Sequence, residues 1–115
     1  MAFSKPNCAD FVTLKEPVLL SGIVGVTDEW ECSGDDFSTQ ARQAFANAKR
    51  VVDEAGRRWE DVAFVRAFLA DITHYKEYSA LFDEMFTVSP PARTTVQAGL
   101  VGPFLVELEI TVNGN

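Results

Sequence analysis

Positive charge is scarce in this chain: ten Lys and Arg stand against seventeen Asp and Glu, a formal charge of -7. Affinity along a nucleic-acid backbone comes mainly from neutralising many phosphates, so nucleic acid is not an expected partner. An anionic small ligand would need a locally concentrated cation to overcome the overall field. Histidine occurs once, at His74, and a lone histidine without a ligand cluster does not build a zinc site, so no metal is expected. Two cysteines, Cys8 and Cys32, match neither a close-spaced metal pair nor a dense disulfide framework, which points to a reducing compartment. The longest apolar run, Val18 to Val26, is interrupted by Ser21 and by glycines and falls far short of the roughly 20 residues of a membrane span. The leading residues MAFSKPNCADF hold no sustained apolar signal segment, so a cytoplasmic protein with no membrane partner is expected. A phosphate-loop glycine pattern, a Cys-x-x-Cys pair and a nucleophile elbow are all missing.

What remains is ordinary globular material: 115 residues, 47% hydrophobic and 23% charged, enough for a single domain over residues 1–115 with one core. Phe11 to Lys15 alternates briefly, Glu16-Pro17 reads as a turn, and Val18 to Val26 resumes as a strand, so a hairpin is expected here. Thr27 to Asp36 is a loop by composition. From Phe37, apolar residues at 41, 44, 45, 48, 51, 52 and 55 recur at three- and four-residue spacing, which predicts a helix capped by Asp35 or Asp36 and stopped at Gly56. Asp61 to Asp71 is rich in Val and Phe without a helical stripe and reads as a largely buried strand. Asp71 to Phe86 reads as a second helix, ended by Pro90 and Pro91. Thr94 to Leu100 is a short strand, and Phe104 to Val112 alternates strictly, with Phe104, Val106, Leu108, Ile110 and Val112 on one side. The predicted order is β-β-α-β-α-β-β, an α+β fold with both helices on one sheet face. The other face is too apolar to be left in water, and a second copy of the chain is its simplest cover.

Arg93 follows two prolines that pre-order its backbone, and a guanidinium offers a rigid fork that matches a carboxylate with two charge-assisted bonds. The alternative is an ion pair with Glu107 or Glu109. Glu107 lies on an alternating strand where a half-buried carboxylate could be tuned for proton transfer; the alternative is an exposed strand acid. Ser21-Gly22 interrupts an apolar strand, which implies either a bulge or the close approach of a ligand or another backbone. His74, Cys8 and Cys32 have no identifiable chemical partners, and the acids at 28, 29 and 31 around Trp30 read as a solvated loop.

Four segments, LLSG (19–22), DDFSTQARQAFANAKRVVDEAG (35–56), PPARTTV (90–96) and VELEI (106–110), together resemble the RidA family of reactive enamine/imine deaminases, also called L-PSP endoribonucleases. The resemblance covers roughly residues 12 to 112. It implies a chorismate-mutase-like α+β fold, a homotrimer with clefts between subunits, and no cofactor. It implies that Arg93 grips the substrate carboxylate, that Gly22 lies beside the ligand, and that Glu107 positions the attacking water and handles protons. The substrate class implied is a small carboxylated imine or enamine, released as a 2-oxo acid and ammonia.

This chain departs from the family pattern at several places. Where deaminating members carry Gly-Pro-Tyr-Ser-Gln, it has Lys5-Pro6-Asn7-Cys8-Ala9-Asp10, so Cys8 falls where the active-site tyrosine would be. Ser79 stands for an asparagine of the second helix, Ile23 for the glutamine after Ser-Gly, and Thr95 for a cysteine. Cys8, Ser21, Ile23, Ser79 and Thr95 are therefore the expected cleft shell around Arg93, Gly22 and Glu107. A non-catalytic trimer that binds a small carboxylate or a protein is the alternative function. Ribonuclease action lacks a histidine pair or lysine cluster, and an aminomuconate-like diacid would need a second cation that the sequence does not identify.

Overall fold

The computed structural model describes residues 4–115. The strands are β1 (Val18–Val24), β2 (Val62–Leu69), β3 (Ala92–Gln97) and β4 (Val106–Val112), and the helices are α1 (Phe37–Glu54) and α2 (Tyr75–Met85). One four-stranded sheet has the order β1-β4-β2-β3, antiparallel except for the parallel β2-β3 pair that α2 bridges. The α+β class stands, with the element order β-α-β-α-β-β.

The expected strand at 11–15 does not form. Phe11 is 82% exposed and Leu14 54% exposed, and Glu16 takes φ 46°, a left-handed turn that carries the segment out of register with β1. Instead of a ladder, side-chain and isolated backbone bonds tie it to the C-terminal end: Lys15 N–H donates to Asn113 Oδ1 (2.8 Å), Asn113 Nδ2 to the Thr13 carbonyl (3.0 Å) and Gly114 N–H to the Lys15 carbonyl (2.7 Å). Five alternating residues beside a Glu-Pro turn carry too little burial to compete with β4, whose apolar face claims β1 as its neighbour.

The first helix begins as its sequence dictates. Asp36 accepts from the Thr39 N–H (2.9 Å) and Thr39 Oγ1 (3.0 Å), satisfying a helix-start donor. At its far end Gly56, φ 73°, closes the last turn. The second element splits into a 3-10 turn, Ile72–His74, and α2. Asp71 caps the turn through Thr73 N (2.9 Å). The helix ends at Met85, five residues before Pro90, because Phe86 leaves helical space with φ -126°, ψ 74°. The prolines therefore follow the stop and do not cause it.

Both helices cover one face of the sheet. Ala41, Ala44, Phe45, Ala48 and Val52 of α1 and Tyr78, Leu81 and Phe82 of α2 share a single core with Val65, Ala67 and Leu69 of β2 and all four inward residues of β4. The strand β4 alternates as its pattern predicts, with Val106, Leu108, Ile110 and Val112 all buried. The strand β2 is largely buried as expected and alternates as well, leaving Phe64, Arg66 and Phe68 half-buried on the face away from the helices. Arg66 pairs with Glu109 across that face. Gln40 is the buried polar exception in α1. Its amide donates to the carbonyls of Gly34 (2.9 Å) and Pro103 (3.2 Å) and accepts from Leu105 N–H (2.7 Å), pinning two loops to the helix. No helix is long and apolar enough to cross a membrane among the described residues.

Candidate functional site

The strand β3 starts at Ala92, two residues before the expected Thr94, so Arg93 is its second residue, and opposite Val65 in the parallel register it points to the helix face. There α2 receives it. Nη2 donates to Ser79 Oγ at 3.0 Å and to Tyr75 Oη at 3.3 Å, residues four apart and so on one side of the helix. The guanidinium carbon lies 4.3 Å from the Phe82 ring centroid, 5.8 Å from that of Tyr78 and 5.9 Å from that of Tyr75, an arrangement in which aromatic faces stabilise the cation. Nη1 is buried without a hydrogen-bond partner. The ion pair weighed for Arg93 does not exist among the described residues: Glu109 is taken by Arg66, and Arg93 joins no carboxylate. The guanidinium is thus gathered by hydroxyls and rings, with donor capacity unspent and no acid beside it among the described residues.

Glu107 lies elsewhere. It pairs with Val24 of β1 and Phe68 of β2, on the sheet face away from the helices. Its carboxylate fills the space over Gly22 that any side chain there would need. The β1-β4 register slips between Leu20 and Ile23, so Ser21-Gly22 forms a bulge, and the glycine serves close approach of a side chain. Beyond it an open cleft of about 620 Å³ follows the outer edge of β1, lined by Ser21, Gly22, Ile23, Asn47 and Arg50 among others. Asn47 fixes this end of the strand to α1 by donating to the carbonyls of Val24 and Val26, each at 3.0 Å.

The residues expected around one cleft thus fall into two groups within one chain. Ser79 and Thr95 join Arg93, Thr95 being two residues along β3 and opposite Ala67 on the same face. Gly22 joins Glu107, Ser21 lines the open cleft beside Gly22, and Ile23 turns its side to the core opposite Leu108. Cys8 is half-buried on a segment tied near β3 by Ala9 N–H donating to the Pro91 carbonyl (3.1 Å). Arg93 and Glu107 occupy opposite faces of the sheet, on an edge strand and an interior strand. Sequence reasoning missed Tyr75; its four-residue spacing from Ser79 was the signal available. The Tyr78 phenol is buried with no hydrogen-bond partner among the described residues, and burial pushes its pKa up against the opposing pull of Arg93.

His74 stacks on Phe37 with ring centroids 4.5 Å apart. Among the described residues no group of three or more His, Cys, Asp or Glu is placed to hold a metal ion. Both cysteines are unpaired, and Asp28, Glu29 and Glu31 lie exposed around Trp30.

The sequence pattern of the family described as Endoribonuclease L-PSP matches residues 7–113. The chain belongs to this family, the RidA-like proteins. Within it, a 2-iminobutanoate/2-iminopropanoate deaminase from Salmonella typhimurium is 30% identical over 102 residues, covering 86% of this chain and 79% of that protein. A RutC family protein from Sulfurisphaera tokodaii is 34% identical over 76 residues, and this chain spans 61% of its length. Among solved structures, the yeast protein YEO7 superposes with a TM-score of 0.83 at 26% identity, covering 90% of this chain and 83% of that one. A YjgF-family protein from Neisseria meningitidis gives 0.76 at 27% identity, covering 87% and 82%. The RidA-like fold is therefore the chorismate-mutase-like α+β fold expected.

Proposed function

We propose that this RidA-like protein hydrolyses small reactive 2-imino and 2-enamino acids to 2-oxo acids and ammonia, without a cofactor, in clefts between copies of the chain. The observation that carries this reading is the state of Arg93: a guanidinium held by Ser79 and Tyr75 over Phe82, in contact with no carboxylate among the described residues. A substrate acid group would supply the missing anion and fix the imine carbon beside it. Water adds to that carbon and gives a proton to the Glu107 carboxylate. Glu107 delivers that proton to nitrogen, giving a carbinolamine; a second proton moves from the carbinolamine hydroxyl through the same carboxylate to nitrogen as the C–N bond breaks, so that ammonia leaves and the carbonyl of the 2-oxo acid forms.

One chain does not bring anchor and base to one space, and the sheet order supports how several would. The free edges are β1 and β3; Arg93 belongs to the β3 edge, and Gly22, over which Glu107 lies, to the β1 edge. Joining β3 of one copy to β1 of the next is a head-to-tail contact that closes into a ring if its rotation closes. A homotrimer of this kind would also cover Leu19, 76% exposed, and Val96, 37% exposed. The two unpaired cysteines support a cytoplasmic setting.

The test is imine decay. With 2-iminobutanoate generated by an amino-acid oxidase, added protein is expected to accelerate its loss in proportion to concentration, and Arg93→Ala to remove the effect. An unchanged decay rate rejects the enzyme. Because Cys8 occupies the place of a family tyrosine, a second reading is a trimer that binds the acid without turnover; saturable binding of 2-oxobutanoate with no imine loss would select it. A solution mass of a single chain would reject both.

A further inference from the structure

The acid-binding subsite contains a residue that none of the expected positions includes. We infer that Tyr75 is a specificity-determining residue for the carboxylate, its hydroxyl accepting from Arg93 and donating its own proton to the ligand; this rests on the reading of Arg93 as the acid anchor.

Three observations on the protein carry it. First, Tyr75 Oη lies 3.3 Å from Arg93 Nη2, which also donates to Ser79 Oγ at 3.0 Å, so one nitrogen of the guanidinium is shared between two hydroxyls. A hydroxyl that accepts from a cation keeps its proton to give, and the charge polarises the O–H into a stronger donor. Second, no other partner for that proton is found: the Tyr75 phenol has the Arg93 contact as its sole side-chain hydrogen bond among the described residues. Third, Tyr75 opens α2 directly after the 3-10 turn, is half-buried, and packs its ring beside the guanidinium, 5.9 Å from Cζ. The ring packs against the core while the hydroxyl reaches the guanidinium, the division of an aromatic body and polar tip that suits ligand contact.

The consequence is chemical selectivity. A carboxylate placed on Arg93 meets hydroxyl donors from Tyr75 and Ser79 as well as the guanidinium, whereas a neutral amide presents N–H groups that clash with donors. Tyr75 then discriminates acid from amide beyond the charge of Arg93 itself.

The experiment titrates 2-oxobutanoate and its neutral amide, 2-oxobutanamide, by calorimetry against the full-length protein and against Tyr75→Phe, Ser79→Ala and Arg93→Ala. Tyr75→Phe keeps the ring and its packing, and its thermal melt controls for folding. Expected is a loss of about tenfold in acid affinity with Tyr75→Phe, with amide affinity unchanged, so that the acid-to-amide ratio narrows. Equal acid affinity in the unaltered protein and Tyr75→Phe, while Arg93→Ala still abolishes binding, overturns the role of Tyr75 and leaves the anchor intact. An equal loss for acid and amide also overturns it, because it assigns the residue to packing. No binding of the acid by the unaltered protein rejects the anchor reading, and the role of Tyr75 with it.

Discussion

Gly22 is bare because Glu107 needs the room: the carboxylate of Glu107 occupies the position at which a Cβ on Gly22 would stand. The bulge in β1 and the acid on β4 are one feature built from two strands. Gly22→Ala is expected to displace the carboxylate, which is the free end of a flexible side chain, at a stability cost below about 1 kcal/mol. Imine hydrolysis should fall by at least about tenfold, since a base moved by an ångström loses its aim. A variant of normal melting temperature and normal activity would separate Glu107 from the chemistry.

Gly25 gives the matched control. A Cβ there would fall within 3.0 Å of three backbone atoms of Gln40 in α1, and a helix backbone does not rotate aside. Gly25→Ala should destabilise the fold by about 1–3 kcal/mol by overpacking. Denaturant titration would show it, and an unchanged midpoint would mean that β1 and α1 can separate freely.

Arg93→Lys keeps the charge and removes the fork. The lysine ammonium cannot span Ser79 and Tyr75 while facing a carboxylate with two parallel donors, so affinity for 2-oxobutanoate is expected to drop about tenfold or more. Calorimetry with near-native affinity would argue that charge alone recruits the ligand.

Gln40→Ala strips partners from two buried-side carbonyls and the Leu105 N–H at once. Left unsatisfied, these groups should lower stability by about 2–4 kcal/mol. Urea unfolding measures it, and a loss within error would show that water reaches those loops.

The Asp36 cap sets a pH dependence. Its carboxyl is held below the ordinary 3.8, first by the Thr39 backbone N–H and then by the Thr39 hydroxyl. A lowered folded pKa means that its contribution is present above 3.8 and is lost as pH falls through the folded value. Melting curves of the unaltered protein and Asp36→Asn should therefore differ most near neutrality and converge in acid, asparagine being a cap that does not titrate. A constant gap across that range would remove Asp36 from the acid transition.

Periodicity carried the reading of the fold a long way. The three- and four-residue spacing from Ala41 to Val52 marks the buried side of α1, and the alternation from Val106 to Val112 marks the inward side of β4. Both patterns are long, and a long pattern names its buried face without knowing its neighbour. Short ones do not: Phe11 to Lys15 alternates and is irregular, whereas Val18 to Val24, an interrupted apolar run, is a strand. The stop of α2 at Phe86 had no local marker stronger than the later prolines. At the site, Arg93 and Glu107 were legible as residues, but their places on opposite faces of the sheet were not, because that depends on counting register from strands not adjacent in sequence.

By itself, then, the sequence determined where α1 starts, which sides of α1 and β4 turn inward, and that an arginine behind two prolines and an alternating glutamate deserve a chemical reading, since caps, periods and charges act over a few residues. Tertiary structure alone decided that β1 pairs with β4, that Arg93 finds Tyr75, Ser79 and Phe82 in place of an acid, and that Glu107 fills the space at Gly22. Those outcomes are settled by which surfaces pack together across the chain, and contacts between distant segments are fixed by competition for the same core and the same sheet edges.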